Sequence, residues 1–231
     1  MADTASRREK TPQAPPSASN LKLVGGRLCL DFVNTVDWHG TDHPKEWLTS
    51  FDEFVQWAVH AGAVDRQTAE GLMAAGRARP AEAAGALREA LALREAMYRI
   101  FAAVAAAREP PADDLEHLNR ALARALPRLR LQARPGGFDW AWADDEATPL
   151  DRPLWPILAS AAELLTSGDL ARVRRCADDE CGWLFVDMSR NRSRRWCAME
   201  DCGNRAKARR LRQRARDAPV SGEPTQPGQD A

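Results

Sequence analysis

The spacing of apolar side chains over residues 21–168 predicts a domain made mainly of α-helices. Apolar positions recur there at intervals of three and four residues, which is typical of helices with one buried face. Residues 81–108 carry the longest such pattern, and its broad apolar arc predicts a central helix that several neighbours pack against. Shorter helices are expected within 21–35, from 51, over 65–75, after a cap at Asp113, and from Pro153 to Gly168.

Two short segments of the same domain alternate apolar and polar residues with a period of two. Residues 129–133 and 138–142 flank Pro135-Gly136-Gly137, and this combination predicts a β-hairpin. Three aromatic residues of the second segment would share one face, which we expect to pack on helices. They are Phe138, Trp140 and Trp142.

Four of the five cysteines lie within 27 residues, in two pairs of equal spacing. Cys176 and Cys181, then Cys197 and Cys202, can each supply one edge of a tetrahedron of thiolates around Zn²⁺. Two disulfides are the alternative. Residues 1–20 lack the apolar segment of a signal peptide, which favours a cytoplasmic chain with reduced thiols. We therefore predict one structural zinc ion and no disulfide.

The residues around these cysteines predict a small unit of the treble-clef kind, in which a hairpin is followed by a basic helix. Residues 183–186 are a β-prone apolar run, and 194–197 are their expected antiparallel partner. Asn204 is the expected N-terminal cap of the helix. So small a unit cannot bury enough surface alone, so zinc would stabilise it. Its expected minimal core beside the metal is Trp183, Phe185 and Trp196.

Charge is distributed unevenly along the chain, although the formal total is zero. Residues 172–216 hold fourteen Lys and Arg against six Asp and Glu, whereas residues 1–171 carry a net charge of −5. A segment this basic is typical of a polyanionic partner. Duplex DNA is one hypothesis, and an acidic protein surface bound by a zinc-stabilised interaction module is the other. The side chains expected at DNA are Arg190, Arg192, Arg194, Arg195, Arg205, Lys207, Arg209, Arg212, Gln213 and Arg216.

Two stretches resemble known domains. The sequence Cys-Gly-Asn-Arg at 202–205, preceded by the motifs at 185–187 and 196–199, resembles the CGNR zinc-finger family. The stretch at 25–35, Gly-Gly-Arg-Leu-Cys-Leu-Asp-Phe-Val-Asn-Thr, is similar to the ABATE domain that usually precedes such a finger. The resemblance implies a bacterial transcription regulator, often described as stress-induced.

The expected organisation is a helical ABATE-like domain over 21–168 and a finger over 169–217. Residues 1–20 and 218–231 are low in apolar content and are predicted to be a disordered leader and tail. The helical domain is expected to sense a small effector or to form a homodimer. Two polar residues in an otherwise apolar stretch of it either line a ligand pocket or cap and cross-link the fold. They are Asp31 and Asn34.

The sequence does not predict an enzyme. It holds no phosphate-binding glycine loop and no zinc-protease helix motif, and no Ser-His-Asp order can be defended. Four thiolates would close the zinc coordination sphere, whereas catalytic zinc keeps an open position. No run approaches the roughly 20 apolar residues of a membrane span.

Overall fold

The computed structural model describes residues 15–39, 41–143 and 148–217, and it confirms the mainly helical fold class. Within these residues there are seven α-helices and three antiparallel sheets of two strands each. The helices are α1 (Leu28–Val33), α2 (Phe51–His60), α3 (Arg66–Ala78), α4 (Pro80–Ala105), α5 (Ala112–Ala125), α6 (Leu154–Thr166) and α7 (Asn204–Asp217). The strand pairs are β1 (Val36–Asp37) with β2 (Lys45–Glu46), β3 (Leu129–Arg134) with β4 (Gly137–Trp142), and β5 (Val173–Arg175) with β6 (Leu184–Val186).

The central helix is α4, as its broad apolar arc predicted. It packs against α1, α2, α3 and α5, and the strand β5 reaches it from the C-terminal part of the chain. Leu93, Met97 and Ile100 on α4 are fully buried. The helix ends at Ala105, three residues before its expected end, and Ala107 follows it in the left-handed region at φ 51°.

Two helices begin at a side-chain cap. Ser50 caps α2, since its side chain accepts from the Glu53 amide while Glu53 bonds back, and Asp65 caps α3 in the same position. The expected cap at Asp113 is wrong. Helix α5 begins at Ala112, which places Asp113 inside the first turn, where its charge favours the positive end of the helix.

The hairpin β3–β4 forms in the expected place but is more exposed than expected. Its register pairs Leu131 with Trp140 and Ala133 with Phe138, so these side chains share one face. Trp142 packs on Trp155 of α6, with ring centroids 5.8 Å apart. The other aromatic residues of the hairpin do not pack on helices, because Phe138 and Trp140 remain 73% and 66% exposed.

The C-terminal part of the chain packs directly on the helical domain. Val173, Leu184 and Val186 of the sheet β5–β6 belong to the same buried cluster as the helices α1, α4 and α6. The predicted strand over 183–186 is confirmed, but its predicted partner over 194–197 is wrong, since β6 pairs with β5. The first cysteine pair therefore lies in the connection between the two strands of this hairpin, whereas the predicted hairpin lay between the two pairs.

The start of the folded part lies earlier than expected. Residues Ala18–Asn20 form a 3₁₀ turn against α2, and Ala18 is buried in the core, so the predicted disordered leader is too long at its C-terminal end. Residues 1–14 of the predicted leader and the predicted tail (218–231) lie outside the described residues. Among the residues that the structure describes, no helix combines the length and the apolar character needed to cross a membrane.

Candidate metal centre and nucleic-acid interface

The four predicted zinc ligands come together in one buried cluster. Their sulfur atoms all lie within 4.8 Å of one another, and each cysteine is at most 6% exposed. The Cys197 sulfur lies 3.6 Å from that of Cys181 and 3.5 Å from that of Cys202. A tetrahedral zinc ion with bonds of about 2.3 Å requires sulfur separations of about 3.8 Å, so the cluster fits the ion. The chain holds one structural zinc ion at these cysteines.

Hydrogen-bond donors around the cluster favour thiolates over thiols. The backbone amide of Cys197 points to the Cys176 sulfur at 3.4 Å, and the Arg205 guanidinium donates to the Cys202 sulfur at 3.0 Å. Hydrogen bonds among the four sulfurs lower the pKa of Cys176 and raise those of Cys181 and Cys197. Zinc binding would therefore displace protons from the latter two.

An ion pair inside the finger fixes the start of α7. The Asp178 carboxylate, whose side chain is fully buried, accepts from Arg205 and Arg209, each at 2.9 Å. Burial alone would raise the pKa of Asp178, but the bonds from Arg209 and Arg205 hold it below its usual value. The pair thereby connects the loop of the first cysteine pair to the first two turns of the helix.

The expected cap at Asn204 is also wrong, because the chain is already helical before it. A π-helical turn over Met199–Gly203 contains the fourth ligand and runs straight into α7. Asn204 itself has helical angles, φ −70° and ψ −39°, and its side-chain amide donates to the Glu200 carbonyl. The metal ligand Cys202 and the basic helix therefore form one continuous rigid element.

Asp187 shapes the turn between the two cysteine pairs, which we call the basic turn (residues 188–195). One of its buried carboxylate oxygens accepts from the Ser189 amide and hydroxyl, and the other accepts from the Arg194 amide at 3.0 Å. Arg190 and Arg192 are exposed at the tip of this turn. Sequence reasoning missed both Asp178 and Asp187. Two signals could have identified them: Asp178 lies two residues after the ligand Cys176, and Asp187 lies in the family motif at 185–187.

Arg194 has a different place from the other arginines of the basic turn. Its guanidinium lies 4.1 Å from the centre of the Phe185 ring and donates to the carbonyls of Val24, Trp196 and Cys197. These bonds join the finger to the N-terminal segment. Arg194 is therefore part of the junction, and we leave it out of the surface considered for DNA.

The remaining residues expected at DNA fall into two groups. Arg205 and Arg209 are half-exposed but bound to Asp178. The others are exposed on the basic turn or on α7. They are Arg190, Arg192, Arg195, Lys207, Arg212, Gln213 and Arg216.

The junction between the domain and the finger uses the two polar residues noted near α1. The Asn34 amide donates to the Leu184 carbonyl and accepts from the Leu184 amide, both at 2.8 Å, so it cross-links α1 to β6. Asp31 accepts from the Gly25 amide at 2.7 Å, and burial raises its pKa to about 6. Neither residue lines the two cavities described in this structure, so their geometry is that of cross-links.

Replacing Gly182 with Ala should loosen this junction. Gly182 has φ +76°, and a methyl group at its Cα would overlap the His39 carbonyl of the helical domain. We expect a loss of about 3 kcal/mol in the free energy of unfolding, from left-handed strain plus the overlap. Urea denaturation followed by tryptophan fluorescence measures it.

Gly136→Ala is the matched control, since Gly136 has φ +87° with nothing within 4 Å of the added methyl group. This variant should lower the free energy of unfolding by about 1 kcal/mol, which is the strain of the left-handed conformation alone. Equal losses in the two variants would show that the close approach to His39 does not hold the junction.

Comparison with family models agrees with this arrangement. Residues 26–168, more than half of the chain, match the ABATE model, which is described as "Putative stress-induced transcription regulator". The chain belongs to the ABATE family. Residues 172–215 match the CGNR zinc finger, so both predicted resemblances are confirmed. The ABATE description names a regulator and the other a zinc finger, and neither names an enzyme. Comparison with curated proteins gives no match.

Proposed function

We propose that this ABATE protein is a cytoplasmic, DNA-binding transcription regulator whose zinc finger contacts duplex DNA through the basic turn and α7. The observation that carries the proposal is the exposure of α7: every residue from Arg209 to Arg214 is exposed, including Leu211 at 65%. An isolated helix of 14 residues is marginal in water, so a surface that covers it would stabilise it. Reduced thiols in the cytoplasm keep the cysteines available to zinc.

The charges of the finger support a polyanion over other partners. The buried carboxylates Asp178 and Asp187 point into the finger, and Asp201 pairs with Lys22 at the junction with the helical domain. Asp179, Glu180 and Glu200 are exposed, but the exposed cations of the basic turn and α7 outnumber them. Even with two negative charges for a zinc tetrathiolate, residues 172–216 keep a net charge of +6.

Helix α7 offers one face that the finger does not use. Arg205 and Arg209 turn toward Asp178, whereas Lys207, Arg210 and Arg214 follow the opposite side at helical spacing and have no ion-pair partner among the described residues. The helix is about 21 Å long, and its diameter with side chains, about 10–12 Å, suits a major groove about 12 Å wide. We propose that this face contacts DNA, with Gln213 beside it as a candidate for adenine recognition.

The helical domain is proposed to sense an effector, and a specific observation also favours dimerisation through its hairpin. Leu131, Phe138 and Trp140 are each at least 65% exposed on one face of β3–β4. Together they offer roughly 450 Å² of apolar surface, against about 800 Å² per partner in a standard interface. We therefore expect a second copy to bind this face weakly in solution. Sedimentation velocity over a range of concentrations tests this, and a strictly monomeric protein at about 100 µM would contradict it.

Selection of random duplexes on the zinc-loaded, full-length protein tests the proposed function. At about 0.15 M salt, weak non-specific binding is reduced and a sequence-reading protein should enrich one motif. No enrichment by a folded, zinc-loaded protein would contradict the proposal and favour the interaction module. Equal competition by single-stranded RNA would identify a sequence-independent polyanion binder.

A further inference from the structure

A cleft of about 850 Å³ lies where the helical domain meets the zinc finger. One wall comes from the N-terminal segment and from the short sheet β1–β2, and the other comes from the first and second cysteine pairs and the start of α7. The cleft is thus built from both the ABATE part and the CGNR part of the chain. Its volume is within the range of small-molecule sites, about 300–1,000 Å³.

Three indole rings line this cleft: Trp38, Trp47 and Trp183. The ring nitrogens of two of them are bonded inside the protein, because Trp47 donates to Asp37 at 3.0 Å and Trp183 donates to the Val36 carbonyl at 2.8 Å. These bonds fix the two rings. A ligand in the cleft would therefore meet the rigid aromatic surfaces of these rings and not their polar edges.

The charge of the cleft is unbalanced toward negative. Its acidic residues include Asp37, and the zinc tetrathiolate behind it adds two negative charges. Its cations are already engaged, since Lys22 pairs with Asp201 and Arg205 pairs with Asp178. Asp37 forms no ion pair within the described part of the chain. Burial is the largest effect on its carboxyl group and raises its pKa, whereas the bond from Trp47 and the charges of Lys45 and Arg205 act in the opposite direction. The carboxylate would be stabilised by a cation brought in from solution.

The structure also shows that one of these rings accepts a cation. The Lys45 ammonium lies 3.7 Å from the centre of the Trp47 ring. Aromatic rings beside a carboxylate are the usual chemistry of sites for organic cations, because the ring face and the anion both favour positive charge.

We infer that this cleft binds a small planar organic cation, such as a protonated amidine, with Asp37 as its counter-ion and the three indoles as its walls. The ligand would bridge the two parts of the chain and fix the finger, with α7, against the helical domain. That such a ligand regulates DNA binding rests on the proposed function; that the cleft binds it does not.

Three probes of nearly equal shape test the inference on the zinc-loaded, full-length protein: benzamidine (cation), benzamide (neutral) and benzoate (anion). The indole N–H signals of ¹⁵N-labelled protein report the binding, after assignment by single Trp→Phe variants. We expect benzamidine to shift the Trp47 and Trp183 signals with a Kd of about 1 mM, at least about tenfold tighter than benzamide, with benzoate weaker still. Equal affinities, an inverted order, or shifts confined to other tryptophans would overturn the inference.

Asp37→Asn supplies the second arm, since the amide oxygen can still accept from the Trp47 ring. Its benzamidine affinity should fall at least about tenfold, to the level of benzamide, whereas Asp139→Asn on the exposed hairpin should change nothing. An unchanged preference in Asp37→Asn would overturn the role of this carboxylate. If the variant does not fold, the affinities of the three probes for the unaltered protein still test the inference. Because no DNA is present, failure of the DNA proposal leaves this result intact.

Discussion

Cys197→Ser should abolish zinc binding and unfold the finger. The Cys197 sulfur is central in the cluster, since it lies within 3.6 Å of the sulfurs of Cys181 and Cys202. A serine hydroxyl stays protonated near neutral pH and is a poor fourth ligand for a site that needs four thiolates. Structural zinc contributes about 10–16 kcal/mol to the folding of such units, so the remaining contacts cannot replace it. Metal analysis should show zinc falling from one per chain to nearly none.

The loss should spread into the helical domain. Val173, Leu184 and Val186 of the finger sheet are at most 1% exposed, and they belong to the main core. Burial of each such side chain contributes about 1.5–3 kcal/mol, so their release should lower the Tm of the whole protein by about 10–20 °C. Calorimetry with and without added zinc measures this shift.

Cys29→Ser is the matched control for both measurements. Cys29 is fully buried in α1, away from the other cysteines, and burial raises the pKa of its thiol to about 12. The variant should lose some stability but keep one zinc per chain. A Cys197→Ser protein that keeps its zinc and melts with the unaltered protein would refute the assigned site.

The parts that sequence predicted are those governed by local spacing. The cysteine pairs specify a metal site because the ligand requirement of zinc is local and strict. The central helix α4 and the start of α2 near Phe51 followed from apolar periodicity and from the capping residues Thr49 and Ser50, of which Ser50 is the cap. The breadth of the apolar arc on α4 also predicted its many neighbours correctly.

The parts that sequence missed depend on distant partners. The strand over 183–186 is apolar enough to be recognised, but β5 contains a single buried apolar residue, Val173, between arginines. The sequence of β5 does not identify it as the partner of β6. The pairing depends on the turn between the two strands, which contains the first cysteine pair. The pairing of Asp178 with Arg205 and Arg209 spans 27 and 31 residues, which no local pattern encodes.

Removing the three cations of the outer face of α7 should greatly weaken DNA binding without disturbing zinc. In the variant Lys207→Ala, Arg210→Ala, Arg214→Ala, the ion pairs of Asp178 remain, because Arg205 and Arg209 lie on the other side of the helix. Each lost phosphate contact should lower the DNA affinity about fivefold at about 0.15 M salt, because fewer counter-ions are released on binding. The expected loss is about 100-fold, and the slope of log K against log salt should become about 2.7 units shallower. Fluorescence anisotropy with a labelled duplex measures both.

The control removes the same charge from the helical domain, in the variant Arg66→Ala, Arg77→Ala, Arg88→Ala, whose side chains are exposed. Long-range attraction alone would make both triple variants weaken binding similarly, since their net charges are identical. Direct contact predicts a large loss in the α7 variant and a loss of only a few-fold in the control, with zinc retained in both. Equal losses would move the contact surface away from α7. An unchanged α7 variant would leave the basic turn, with Arg190 and Arg192 at its tip, as the place where the finger holds DNA.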